Sequence, residues 1–117
     1  MEQQGMEQLD VKVLNLCDHD INIKDVNGKI WTIHPTQDEP ARVSNSYTAA
    51  FYLGTIGVNR KIGSTNSNLP PTTEGTMYIV SRAVAESNQG RRDLMYPGPQ
   101  YYTDDGLRFC VGLMVCN

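Results

Sequence analysis

The sequence predicts a mainly β, α+β domain. We expect a compact, mostly antiparallel sheet or small sandwich, with an N-terminal Asn-Gly hairpin and one short helix after a central strand. Three observations lead to this fold class. Short runs of β-branched and apolar residues recur along the chain, and Asn27-Gly28 separates two of them. The segment with helix-favouring composition, Arg82 to Gln89, directly follows the apolar run Thr76 to Val80.

The length of 117 residues suits one domain. Residues 1–9 are polar and contain few core-forming residues, so we expect a flexible N-terminus there and a single domain over residues 10–117.

Composition restricts the partners. The net charge of −3 disfavours a nucleic-acid polymer, which needs a cationic surface. No apolar run reaches the ~20 residues that cross a bilayer, and no leader is evident. We therefore expect no membrane partner and a cytoplasmic location. Glycine-rich phosphate-binding patterns are absent, and no cofactor is predicted.

The first predicted strand covers Val11 to Cys17 and carries apolar residues on both faces, which indicates a position near the centre of a sheet. The Asn-Gly hairpin follows, over Ile21 to Ile33. A two-residue type I′ turn there would place Asp25 opposite Ile30 and Lys24 opposite Trp31.

The middle of the chain predicts three short strands, around Ala41 to Ser44, Thr48 to Leu53 and Thr55 to Ile62. The stretch from Ser64 to Gly75 is polar, contains two prolines and has no hydrophobic period, so it is predicted to be a loop.

The C-terminal half begins with the buried strand that precedes the helix. Ser81 is the predicted N-cap of that helix, and Asn88 to Gly90 are the predicted stop. An extended piece broken by Pro97 and Pro99 follows. A turn at Asp104 to Gly106 then leads into a closing strand over residues 107–115.

The three cysteines, Cys17, Cys110 and Cys116, are odd in number and widely spaced, which indicates reduced thiols rather than a disulfide framework. The apolar neighbours of Cys17 and Cys110 predict burial and not thiolate catalysis. His19 follows Cys17 closely, but a metal site needs three or four convergent ligands. A hydrogen-bonding or ligand-contacting role is favoured for His19, and no metal or catalytic residue is predicted.

The segment around the short helix combines the groups that hold phosphate and stack on bases. A helix start offers free amides, arginines offer paired N–H donors, and tyrosine rings can stack on a base. The alternative interpretation is two structural ion pairs, Arg91 with Asp93 and Arg82 with Glu86. With His19 added, the predicted ligand-binding residues are His19, Tyr78, Ser81, Arg82, Arg91, Arg92 and Tyr102.

Several phrases together resemble a family of short proteins from tailed phages and prophages. Its N-L-T-P-H opening is matched in part by "NLCDH", and its L-P-x-x-x-E-G-T-x-Y-I-V-S-x-x-V-A phrase by Leu69 to Ala85 without a gap. "ARVS", "RRDLMYP" and "CVGL" are similar to further family phrases. This chain departs from the family at Cys17 and Asp18, and at Tyr102 and Thr103 where the family often has an Arg-Asp pair.

The resemblance implies a function by analogy with small phage proteins that sequester nucleotide-derived immune signals of the host. On that analogy the chain is an anti-defence protein of the bacterial cytoplasm. It would bind a phosphate-bearing nucleotide ligand without consuming it, as a homo-oligomer. Two other functions stay open: a protein–protein interaction module without a small ligand, and a nucleotide-signal hydrolase that uses His19 with Asp18 or Asp20.

Overall fold

The computed structural model describes residues 11–116, so the predicted flexible N-terminus lies outside the described residues. Within that range the fold is mainly β with a single helix, which confirms the predicted α+β class. The elements in chain order are β1 (Lys12–Asn15), β2 (Ile21–Lys24), β3 (Ile30–Ile33), β4 (Arg42–Leu53), β5 (Ile56–Ser67), β6 (Thr76–Ile79), α1 (Arg82–Ser87), β7 (Leu94–Pro97), β8 (Gln100–Tyr102), β9 (Arg108–Val111) and β10 (Leu113–Met114).

The strands form two four-stranded sheets and one separate hairpin. The first sheet has the order β1-β6-β7-β10 and the second has the order β3-β2-β9-β8. Both sheets are mixed, because β1 and β6, β6 and β7, and β2 and β9 pair in parallel. The third unit, β4 with β5, is antiparallel throughout. We call this hairpin, Arg42 to Ser67, the arm, and the other described residues the body.

The first strand lies at the edge of its sheet, so the expectation of a central position is wrong. Both of its faces are apolar because Val13 and Leu14 pack on different core clusters. Its outer edge is covered by the segment after β3. Thr36 N donates to Asn15 O at 3.0 Å and Ala41 N donates to Leu16 O at 2.9 Å.

The core of the body is divided between the two sides of β6. Tyr78 and Val80 belong to one cluster, and Ile79 belongs to the other, as the alternation of side chains along a strand requires. The first cluster includes Val84 of the helix, and the second includes Cys110 of β9. The central strand therefore joins the helix layer to the second sheet.

The Asn-Gly hairpin is present, but its register differs by one residue from the prediction. Lys24 pairs with Ile30, and the Asp25 amide donates to Lys29 O at 2.8 Å, which closes a three-residue loop. Gly28 alone in this loop has a positive φ, of 85°. This is the type I turn with a left-handed residue that three-residue hairpins use. The Asp25 carboxylate favours it by accepting from the amides of Asn27 and Lys29 at 2.8 and 3.0 Å.

The helix begins and ends as predicted. Ser81 is extended, with φ −68° and ψ 158°, and its hydroxyl accepts from Val84 N at 3.3 Å. Asn88 is the C-cap, and its side-chain amide donates to Val84 O at 2.8 Å. Because Val84 and Ala85 are buried, the helix is fixed on the first sheet by its central turn.

The arm differs from the prediction for the middle of the chain. Two predicted strands form one continuous strand, β4, and the predicted loop from Ser64 begins inside β5. The two strands are joined at Gly54 and Thr55, with Leu53 opposite Ile56. Gly54 has a φ of 63°, which suits the first position of a two-residue type II′ turn.

The closing strand is interrupted at Gly112, whose φ is 75°. Before it, β9 belongs to the second sheet; after it, β10 belongs to the first. The predicted turn at Asp104 to Gly106 is confirmed, with Gly106 at φ 91°. This turn brings β9 back beside β8 and so builds one wall of the candidate site.

Candidate ligand-binding cleft

Two adjoining hollows in the body share one side chain, that of Gln100. We call them together the Gln100 cleft. One hollow has a volume of about 410 Å³ and contains Arg82 and Tyr96. The other has a volume of about 290 Å³ and contains His19 and Arg108. The cleft is polar on the His19 side and contains two arginines, one on each side of Gln100.

Arg82 lies on the first turn of the helix and reaches toward β7. Its guanidinium carbon lies 5.9 Å from the ring centroid of Tyr96, within the range of a cation–π contact. Its Nε donates to Glu86 Oε2 at 2.8 Å, and this hydrogen bond raises the pKa of Arg82. The pair is solvent-exposed and four residues apart, so it contributes little to the stability of the helix. A bound anion can compete with Glu86 for this arginine.

His19 follows β1 in an exposed turn and is held by its neighbour. Its Nδ1 lies 2.9 Å from Asp18 Oδ1, and this hydrogen bond is the main reason why the pKa of Asp18 is lowered. Arg42 of the arm also approaches Asp18, at 3.4 Å. The other carboxylate beside the hollow, Asp20, is 2.9 Å from His34 Nδ1. Both aspartates thus have local partners.

Arg108 of β9 lines the His19 hollow, and Tyr102 of β8 is its neighbour on the same sheet but lines neither hollow. They are directly opposite in the antiparallel pair of β8 and β9, and so are Gln100 and Cys110. Opposite residues share a face, and alternate pairs return to that face, so Gln100, Tyr102 and Arg108 lie on one side of the sheet. Within residues 11–116, Arg108 makes no ion pair.

Arg91 and Tyr78 lie elsewhere, and the geometry corrects the roles expected of them. Arg91 forms a two-pronged ion pair with Asp93, at 3.0 and 2.6 Å, and donates to Pro70 O at 2.8 Å. Its guanidinium covers the ring of Tyr78 at 6.0 Å. Tyr78 is only 3% exposed, so its ring is part of the core and is not open to a base. The structural alternative for Arg91 is therefore the one observed.

Ser81 and Arg92 are exposed but contribute differently from the expectation. The Ser81 hydroxyl is already an acceptor for Val84 N, and the helix of six residues has too few turns for a strong dipole. Arg92 follows the helix and does not line either hollow of the cleft. Of the seven predicted residues, His19 and Arg82 line the Gln100 cleft, and Tyr102 lies beside it, opposite Arg108.

The thiols are arranged as structural groups. Burial raises the pKa of Cys17 to about 11, and its Sγ lies 3.9 Å from Ile79 O. Burial also raises the pKa of Cys110. Neither thiol is therefore activated as a nucleophile. In the part of the chain that the structure describes, no three His, Cys, Asp or Glu side chains are grouped to hold a metal ion.

No helix among residues 11–116 has the length and apolar character needed to cross a membrane.

Searches with the sequence against protein families and curated proteins, and with the structure against solved structures, give no match. The resemblance to phage proteins therefore stays a prediction from the motifs alone.

Gln100 and Arg108 are not among the ligand-binding residues that the sequence predicts. The predicted turn after Tyr102 nevertheless contains a signal for Arg108. A turn at Asp104 to Gly106 makes the flanking segments antiparallel, and that arrangement sets Tyr102 beside Arg108. Tyr96 is also outside the predicted set, and its contact with Arg82 places it in the cleft.

Proposed function

We propose that this protein binds a phosphate-bearing, nucleotide-derived ligand in the Gln100 cleft and sequesters it without consuming it. The observation that carries the proposal is the pair of arginines, Arg82 and Arg108, on either side of Gln100 in two adjoining hollows. Guanidinium groups present planar, paired N–H donors that match the oxygens of a phosphate. A ligand with two phosphate groups could contact both arginines at once.

The other side chains in and beside the cleft suit the rest of such a ligand. The ring of Tyr96 and the exposed ring of Tyr102 offer surfaces on which a base can stack. The Gln100 amide can both donate and accept, which allows it to pair with a base edge or a ribose hydroxyl. His19 can add one hydrogen bond through the ring nitrogen that does not face Asp18.

Sequestration is favoured over hydrolysis by the state of the reactive groups. The Cys17 thiol, with its pKa raised to about 11, is not a nucleophile at neutral pH. His19 has Asp18 as its neighbour, but among residues 11–116 the His19 hollow is lined by no serine or threonine hydroxyl and by no thiol except that of the buried Cys110. A hydrolase would have to use water alone with His19 as its base.

The biological setting of the proposal rests on the sequence resemblance. A phage-type protein that captures a nucleotide immune signal would act in the cytoplasm of the bacterial host and would counter its defence. The partner is then a small signal molecule rather than a nucleic-acid polymer, in keeping with the net charge of −3.

Isothermal titration calorimetry against a panel of cyclic oligonucleotides and ADP-ribose derivatives tests the proposal. We expect at least one member to bind and to be recovered chemically unchanged after incubation. The Arg82→Ala and Arg108→Ala variants should each bind it about 10- to 100-fold more weakly, since each loses charge-assisted hydrogen bonds to the ligand.

The Arg92→Ala variant is the matched control, because Arg92 is an exposed arginine outside the cleft. It should change the affinity less than twofold. Absence of heat with every member of the panel would contradict ligand binding. Loss of binding in Arg92→Ala but not in Arg82→Ala would move the site away from Gln100.

A second candidate function, an interaction module, is favoured by a different observation. The arm presents large apolar side chains to solvent, among them Phe51 at 53% and Leu53 at 60% exposure. Exposed apolar patches commonly mark protein–protein contacts. Co-purification of one defined host or phage protein, lost on Phe51→Ser, together with no heat from the ligand panel, would favour this function.

A further inference from the structure

The arm projects from the body by most of its length. Twelve residues of strand span about 40 Å, and the longest dimension of the molecule is 59 Å. The arm is therefore long in comparison with the body, whose strands have two to four residues.

Only the base of the arm is attached to the body. Val43 packs against the core, and Asn66 exchanges two hydrogen bonds with Asn88, at 2.8 and 3.0 Å. Arg42 approaches Asp18. Of the described residues, none between 44 and 65 makes a side-chain hydrogen bond or ion pair with the body. A two-stranded hairpin alone in water is marginally stable, so the outer arm needs a partner surface.

The outer arm has one apolar face. Phe51 is opposite Val58, and Leu53 is opposite Ile56. Opposite residues share a face, and positions two apart along β5 return to it, so all four side chains lie together. Leu53 and Ile56 are 60% and 65% exposed. This group, Phe51, Leu53, Ile56 and Val58, is the arm patch.

The body contains an open apolar cleft that no residue of the arm lines. Its volume is about 420 Å³, and it lies between the end of the β2–β3 hairpin and the break at Gly112. We call it the Trp31 cleft. The Trp31 indole is fixed in its wall, because Nε1 donates to Asp25 Oδ2 at 2.8 Å. The apolar residues that line it are Ile23, Val26, Trp31, Ile33, Val111 and Leu113.

Charge distinguishes the possible partners of the arm. The arm contains Arg42, Arg60 and Lys61 and no acidic residue, whereas the body contains seven basic and ten acidic residues. Two arms packed face to face would bring like charges together. An arm packed on the body of another copy would bring opposite net charges together, which favours the encounter, while the cleft itself is lined by one lysine and one aspartate, Lys24 and Asp25.

We propose that the arm patch of one copy of this chain docks in the Trp31 cleft of a second copy. Each copy supplies one arm and one cleft, so the contact closes either as a reciprocal two-fold dimer or, when each arm reaches a different neighbour, as a ring. Such a contact covers the two apolar surfaces that a single chain leaves exposed, and it gives the outer arm the third surface that a lone hairpin lacks. The proposal is independent of the function proposed for the Gln100 cleft.

The mass of the protein in solution provides the first test. Light scattering during size exclusion, at about 50 μM, should give a multiple of the 13.1 kDa monomer mass. Leu53→Asp in the arm and Val111→Asp in the cleft should each reduce it to the monomer. Both side chains are more than half exposed, so neither change removes core packing. Val26→Asp, at a fully exposed position of the cleft wall, is a second cleft variant.

Mixing the two kinds of variant tests whether the arm pairs with the cleft. Leu53→Asp retains an intact cleft, and Val111→Asp retains an intact arm, so an equimolar mixture should form one-to-one pairs of twice the monomer mass and nothing larger. Val115→Asp introduces the same charge at a half-exposed position outside both surfaces, and it should assemble like the natural chain.

Three results would overturn the proposal. The first is a natural chain that stays monomeric under these conditions. The second is assembly that survives both Val111→Asp and Val26→Asp while Leu53→Asp abolishes it, which would indicate arm-to-arm contact. The third is a monomer that carries a bound apolar small molecule by native mass spectrometry, since the cleft volume also lies in the range of small-ligand pockets.

Discussion

The body and the arm of this chain are stabilised in different ways. The body encloses side chains with almost no exposure, such as Ile79, Val80 and Val84, each at 0%. The arm has strands three times as long as most of those in the body, yet nearly all of its side chains face solvent. The longest strands of this chain are thus its most exposed ones. Burial of side chains in the body supplies most of the free energy of unfolding.

Polar side chains also differ between the body, where the buried ones are hydrogen-bonded, and the arm, where they face water. Every buried side-chain nitrogen or oxygen in the described residues has a hydrogen-bond partner. Asn15 illustrates this, because its amide nitrogen donates to His19 O and Ile33 O at 2.9 and 2.8 Å, and its oxygen accepts from Cys17 N at 2.8 Å. Asparagines of the arm are exposed to water instead. Changes of the same chemical kind should therefore have unequal effects in the two regions.

The largest difference between a body variant and an arm variant in the free energy of unfolding is expected for the replacement of asparagine. Asn15→Ala leaves one buried amide and two carbonyls without their partner, and unsatisfied groups cost about 1–3 kcal/mol each. We expect the free energy of unfolding in urea to fall by about 3–5 kcal/mol. Asn59→Ala, in the exposed arm, should change it by less than about 0.5 kcal/mol. Equal losses in the two variants would break the comparison.

A smaller difference is expected for arginine. Arg91→Ala leaves the Asp93 carboxylate, which is 10% exposed, without its ion-pair partner. Because Arg91 itself is 22% exposed, we expect a loss of roughly 2–3 kcal/mol, below the range for fully buried pairs. Arg60→Ala in the arm should have no measurable effect on urea unfolding. A stable Arg91→Ala variant would show that the pair contributes little.

The same ion pair makes stability depend on pH. The Arg91 guanidinium lowers the pKa of the Asp93 carboxyl in the folded protein. The unfolded chain therefore binds a proton at higher pH than the folded protein does. This contribution to stability is fully present above the unfolded pKa of about 4 and is lost as pH falls through the lower folded pKa. Arg91→Ala should flatten the acid limb of a stability–pH curve.

The smallest difference in stability between a body variant and an arm variant is expected for the replacement of glycine. A Cβ on Gly98 would lie 3.0 Å from Val111 O and 3.2 Å from Gly112 O, both of which are backbone atoms with little room to move. Gly98→Ala should lower the free energy of unfolding by about 1–2 kcal/mol, and with it the melting temperature. A Cβ on Gly63 of the arm meets nothing within 4 Å, so Gly63→Ala should be neutral or slightly stabilising. Equal melting temperatures for the two variants would contradict this contrast.

Local chemistry explains which parts of the fold were predictable. Ser81 and the alanine-rich turn after it have intrinsic preferences that agree with the helix, and the prediction is confirmed there. The Asn-Gly hairpin was also recognised. Its register was missed because the Asp25 carboxylate accepts from two loop amides and favours a three-residue loop over the two-residue one.

Pairing between residues far apart in the sequence explains the features that the sequence did not predict. The residues from Ser64 to Ser67 have no hydrophobic period, and they are strand only because β4 provides the opposing hydrogen bonds. The same limit applies to the site. Arg82 and Tyr96 are 14 positions apart and Arg108 and His19 are 89 apart, so only the packing of the two sheets brings them to Gln100.

The unequal burial of the thiols has a practical consequence. Cys17 and Cys110 are enclosed, and their raised pKa values keep them protonated and unreactive at neutral pH. Cys116 is only partly covered, and it lies near enough to Arg82 to influence the pKa of that guanidinium. A maleimide dye would therefore attach mainly at Cys116, and its fluorescence would report directly on events at the arginine side of the Gln100 cleft.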